Sequence, residues 1–198
     1  MTRILVLATI VAALTGLTHA ALAVPVMYQA YLDGPSEAPP NLSPGTGLAT
    51  VVLDVDAHVL FVSASFQNLV GITTAAHIHA ATALPGVGTA GVATQVPSFA
   101  GFPLGVTSGS FSNFFDTSDA SAFNPTFMTS NGGTPAGAEA ALASAMAAGR
   151  AYFNIHSTVY GAGEIRGFLQ PVPEPASLSL LALGGLGMAL AKRRRKAA

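Results

Sequence analysis

The sequence predicts a mainly β fold, an antiparallel β-sandwich carrying one short helix near 136–148. Three observations carry that prediction. Seven short segments show period-two alternation or enrichment in β-branched and aromatic residues. Clusters of Gly, Pro, Asn and Asp separate them, as turns require. Helical composition is confined to one stretch, so the βαβ alternation that builds parallel sheets is missing.

VMYQAYLD (26–33) opens the series, and GPSEAPPNLSPGTG (34–47) follows as a turn-rich connection stiffened by Pro39 and Pro40. LATVVLDV (48–55) and HVLFVSASF (58–66) flank Asp56-Ala57, a two-residue gap that predicts a hairpin. AHIHA (76–80) is the next strand. Residues 84–131 are weakly patterned and read as a long loop system, with the strand GVTSGSFSNF (105–114) inside it. PAGAEAALASAMAAG (135–149) is Ala-rich, opened by Thr134-Pro135 and closed by Gly149, which predicts a capped helix. AYFNIHS (151–157) and GEIRGFLQ (163–170) read as a second hairpin over a longer loop.

Both ends are processing segments. In residues 1–23, Arg3 precedes an apolar run from Ile4 to about Leu17 and small residues follow, the pattern of a signal peptide cleaved after Ala23, with Ala20 as the alternative. At the other end, 172–198, Pro173-Glu174-Pro175 precedes a short apolar run (176–191) and five consecutive basic residues (192–196). Such a run reads as a short membrane helix, and the basic block resists translocation, giving a stop-transfer tail with an inner-membrane intermediate. This tail resembles the PEP-CTERM sorting signal of Gram-negative bacteria. The resemblance implies an exosortase-like membrane transpeptidase as partner and delivery to the cell surface or outside the cell.

The domain between, 24–171, carries two arginines against eight carboxylates and no lysine, a net charge of −6. A phosphate backbone is repelled by such a surface, so nucleic acid is excluded as a partner. There is no cysteine. An exported domain without disulfides relies on its core, and thiolate chemistry is excluded.

The chemistry concentrates on five histidines, two of which stand one residue apart. In a strand, His77 and His79 share a face, with Ile78 on the other. Phasing Phe153 and Ile155 inward puts Tyr152, Asn154 and His156 outward, and phasing Ile165 inward does the same for Glu164 and Arg166. If the three strands are neighbours, these polar residues form one surface. Imidazoles at i and i+2 lie about 6.6 Å apart at the backbone. With His156 as a third ligand and Glu164 as a further ligand or a partner behind it, they suit copper or zinc. The competing reading is a hydrogen-bonded network, with Glu164 taking His79 or His156 and pairing with Arg166. That reading is preferred at this point, because H-x-H alone is common and a fourth ligand is unidentified.

YLDGPSEAPP (31–40), GTGLATVVLD (45–54), AAHIHAAT (75–82), GRAYFNIHSTVY (149–160) and GEIRGFL (163–169) together resemble the CHRD domain, the module repeated in chordin and found alone in bacterial secreted proteins. The resemblance implies an exported β-rich module with no catalytic or cofactor-binding residues to carry over. The family usually has Gly-Pro after its histidine pair, where this chain has Ala80-Ala81. A fainter likeness is to the Cu/Zn superoxide dismutases, in which an H-x-H and a later strand histidine bind copper; the matching positions are His77, His79 and His156. The cysteine pair and the His/Asp-rich zinc loop of those enzymes are missing. The sandwich is accordingly expected to be an immunoglobulin-like or superoxide-dismutase-like Greek key.

GVGTAG (86–91) follows no βα unit and reads as a flexible loop, and no G-x-S-x-G elbow is present. The leading expectation is a non-catalytic exported module with a binding or structural role toward extracellular polysaccharide or protein. Its alternative is a copper- or zinc-binding protein, with a redox enzyme as one form of it.

Overall fold

A computed structural model describes residues 25–173. The signal-peptide segment, Glu174, Pro175, the apolar run 176–191 and the basic block 192–196 lie outside the described residues. Among the described residues no helix is long and apolar enough to cross a membrane.

The strands are β1 (Val26–Asp33), β2 (Thr46–Asp54), β3 (Val59–Gln67), β4 (Thr73–His79), β5 (Gly109–Asp116), β6 (Tyr152–Ser157), β7 (Ile165–Phe168) and β8 (Gln170–Pro171). All pairings between them are antiparallel, in the order β4-β6-β7-β1-β2-β3-β5, with β8 also on β1. The mainly β, antiparallel class holds. The strands belong to one continuous sheet curled as a half-barrel, and the curl encloses the core with help from helix and loop.

Alternation decides what is enclosed. Tyr28, Ala30 and Leu32 of β1, Ala49, Val51 and Leu53 of β2, and Leu60, Val62, Ala64 and Phe66 of β3 point inward and are buried. Helix α2 (Pro135–Ala147) covers part of this core with Ala138, Leu142, Ala145 and Met146, spaced at i, i+4, i+7 and i+8. Thr134 caps it, accepting from Gly137 N, and Pro135 occupies its first turn, as the sequence predicts.

Two local expectations are corrected. The β2–β3 loop has four residues, 55–58, because Asp54 Oδ1 accepts from the amides of Asp56 and Ala57 and opens the turn. The 84–131 stretch is ordered by long-range bonds and includes a second short helix, α1 (Pro125–Ser130). Its first part follows the free edge of β4: Ala93 N donates to Ile78 O (2.9 Å) and Phe99 N to Ala76 O (3.2 Å). This brings Phe99 and Phe102 into the core, where Phe99 stacks on Phe153 (5.9 Å) and Phe102 on Phe66 (5.5 Å). These contacts are invisible to periodicity, since the backbone partners lie far apart in sequence.

Candidate metal centre

Strand β4 pairs with β6, with His77 opposite Asn154, Ile78 opposite Phe153, and His79 opposite Tyr152. Strand β6 pairs in turn with β7, placing Asn154 opposite Arg166. Directly opposed residues share a face. His77, His79, Tyr152, Asn154, His156 and Arg166 therefore stand together on the side of the sheet away from the core, while Ile78, Phe153, Ile155 and Ile165 are buried on the other.

This polar face is not wet. His77 is 6 % exposed, His79 8 % and Asn154 2 %. Segments around 36–37, 88–97 and 161 lie over it, each held by a side chain from the sheet. Arg166 Nε donates to Ser36 O, and Nη1 donates to Gly88 O at 3.0 Å. His79 Nδ1 bonds Ala90 O (2.9 Å), His77 Nε2 bonds Pro97 O (2.7 Å) and His156 Nδ1 bonds Gly161 O (2.9 Å). A carbonyl can only accept, so each of these nitrogens carries the proton. The second nitrogen of every ring is then a bare lone pair. Those atoms, His77 Nδ1, His79 Nε2 and His156 Nε2, are buried and have no hydrogen-bond partner.

The three rings converge. Their centroids are 5.8 Å (77–79), 5.2 Å (77–156) and 5.9 Å (79–156) apart, and one ligand atom from each lies within 4.8 Å of the others. Burial lowers the His77 and His79 pKa values to about 4, against the carbonyl bonds that raise them, and burial also lowers that of His156. Neutral imidazoles with one nitrogen fixed by a carbonyl are in the form a metal ion binds. Tyr152 stacks flat on His79 (4.7 Å, 6°), and the Arg166 guanidinium lies 4.8 Å over the Tyr152 ring.

Glu164 stands elsewhere, which corrects both roles expected for it. Its Oε1 accepts from Ser43 Oγ (2.6 Å) and Val70 N (2.5 Å), and its Oε2 from Gly71 N (3.1 Å). Burial alone would raise its pKa; these bonds and one from Ser157 outweigh burial and hold it below the usual carboxylate range. The carboxylate that faces Arg166 is instead Glu37, at 3.8 Å, and it also accepts from Asn154 Nδ2 at 2.7 Å. Burial raises the Glu37 pKa to about 7 although Arg166 opposes it. Gly163 (φ 140°) passes so close that a Cβ would lie 2.3 Å from Asn154 Nδ2 and 2.5 Å from Glu37 Oε1.

Glu37 sits in SEAPP, which reads as a structural turn, and its isolation as the one acid among prolines was the only available signal. The 86–91 loop, read as flexible, supplies two of the roofing carbonyls. A separate pair forms where His58 Nδ1 meets Glu139 Oε2 (2.9 Å) and Thr117 donates to the same carboxylate, anchoring α2 to the β2–β3 turn. Pro173 lies at the end of the described residues, beyond this site.

The family model described as the CHRD domain matches residues 28–169, and the PEP-CTERM protein-sorting motif matches residues 171–196. No curated protein and no solved structure matches the chain.

Proposed function

The chain belongs to the CHRD domain family and carries a PEP-CTERM sorting signal, and from that premise we propose an exported module, sorted by exosortase to the cell surface, that holds zinc or copper on His77, His79 and His156. The role is structural and binding, toward extracellular polysaccharide or protein, and no catalytic step is assigned. Two observations together carry this reading: each of the three rings keeps one buried, unpartnered nitrogen, and one ligand atom from each ring lies within 4.8 Å of the others.

A hydrogen-bonded network without metal is the weaker account. It leaves three buried lone pairs unanswered, each costing on the order of 1–3 kcal/mol. It also lacks its central carboxylate, because Glu164 is engaged by Ser43, Val70 and Gly71. An ion bound to all three nitrogens removes those costs together. It would tie β4 to β6 across 79 and 156, a cross-link in a domain that has no cysteine. Three imidazoles suit zinc and copper alike, and the fourth position would hold a water or another small ligand. Asn154, directly opposite His77, carries the fourth buried polar atom without a partner among the described residues, its Oδ1.

The test is metal content after loading the purified protein with zinc or copper at neutral pH and removing the excess. One ion per chain is expected, lost in His156→Ala and kept in His58→Ala. Failure of the unmodified protein to retain stoichiometric metal, or equal loss in His58→Ala, overturns the proposal.

A further inference from the structure

A cleft of about 510 Å³ opens between the end of β4, helix α1 and helix α2, and it shares no side chain with the three imidazoles. Its size falls in the range of roughly 300–1,000 Å³ typical of small-molecule sites. Arg150 lines it. Of the two cations among the described residues, Arg166 is buried against Glu37, while Arg150 is half-buried and forms no ion pair. Arg150 Nε donates to Thr82 O, which fixes the plane of the guanidinium and leaves its two terminal nitrogens without a hydrogen bond among the described residues. A guanidinium keeps its charge at any physiological pH, and its planar edge matches a carboxylate with two parallel hydrogen bonds.

The rest of the lining is chemically mixed. Phe127 offers an apolar ring, and Ser130 and Ser144 offer hydroxyls. Asn124 uses its side-chain oxygen on Thr126 N and keeps its two amide donors; Asn131 uses Nδ2 on Phe127 O and keeps its oxygen. The lining thus presents a cation, an apolar face, free donors and a free acceptor. A sugar ring has the matching set, with C–H groups on its faces and hydroxyls on its rim, and a uronic acid adds the carboxylate. We propose that this cleft binds an acidic saccharide, with the carboxylate on Arg150, the ring against Phe127, and the hydroxyls on Asn124, Asn131 and the two serines.

Titration calorimetry on the purified full chain, metal-loaded and chelator-treated, tests this with three probes: a galacturonic acid trisaccharide, a neutral glucose trisaccharide, and inorganic phosphate. The acidic trisaccharide is expected to bind about tenfold or more tightly than either control, and Arg150→Gln to weaken it by a similar factor. Ser144→Phe places a ring in the cleft from an exposed helical position, leaves Arg150 in place, and is expected to abolish binding with the melting temperature held. No binding of the acidic trisaccharide by the unmodified chain overturns the proposal. So does phosphate binding as tightly, which would make this a plain anion site, or full binding by a folded Ser144→Phe variant.

Discussion

Replacing His156 by alanine removes the only β6 ligand of the proposed centre and leaves two imidazoles on β4. The consequence is readable as stability. An ion present at a hundred times its dissociation constant stabilises the folded chain by about 2.7 kcal/mol. For a domain of this size each kcal/mol corresponds to about 2–4 °C, so zinc should raise the melting temperature of the unmodified protein by roughly 5–11 °C. If loss of one of three ligands weakens binding about a hundredfold, the same zinc concentration only equals the new dissociation constant. The gain then falls to about 0.4 kcal/mol, or 1–2 °C. His58→Ala, whose ring belongs to the α2 anchor, should keep the full zinc increment whatever it does to the metal-free baseline. The assay is differential scanning calorimetry at pH 7 with and without zinc. Equal zinc increments in His156→Ala and the unmodified chain would refute the reasoning, because the cross-strand ligand would then be irrelevant.

The metal-free protein should lose stability as pH falls from about 6.5 toward about 4. His77 and His79 have folded pKa values of about 4, so in that window the unfolded chain binds two protons that the folded chain excludes, and these outweigh the one proton the folded chain holds on Glu37, whose pKa is raised to about 7. A denaturant-melt series across that range checks the sign, and a flat or rising profile contradicts it. Gly163→Ala should destabilise by about 3 kcal/mol or more, from positive-φ strain and a Cβ against Asn154 and Glu37. An unchanged denaturation midpoint would show that Glu37 moves aside freely. Glu174→Ala, or deletion of 192–196, should leave unprocessed protein in the inner membrane. Cell fractionation reads this, and normal surface delivery of both variants would count against the sorting function of the tail.

Much of the fold was legible because alternation is a local property. The β1 boundaries match the predicted 26–33, and the helix at 135–147 follows from its Thr-Pro start and its alanines. The same alternation put the histidines, Asn154 and Arg166 on one face before any pairing was known. Glu164 broke the rule because it stands just before β7 begins, where the strand's period does not bind it. There the amides of Val70 and Gly71 capture its carboxylate. Glu37 could not be anticipated as the partner of Arg166, since nothing local joins a proline-rich turn to a strand more than a hundred residues later.

The sequence by itself determined the strand phases, the cysteine-free chemistry, the acidic charge of the exported domain and the three-part sorting tail. Each follows from residues that are adjacent or at fixed spacing. Only the tertiary structure decided that β4 lies against β6, that loops roof the histidine face, and that a backbone carbonyl fixes one nitrogen of each imidazole. The reason is physical. Strand pairing is chosen by the packing of the whole sheet, and every residue carries the same carbonyl, so no sequence pattern marks the three that leave His77, His79 and His156 each with one unpartnered nitrogen in a single cluster.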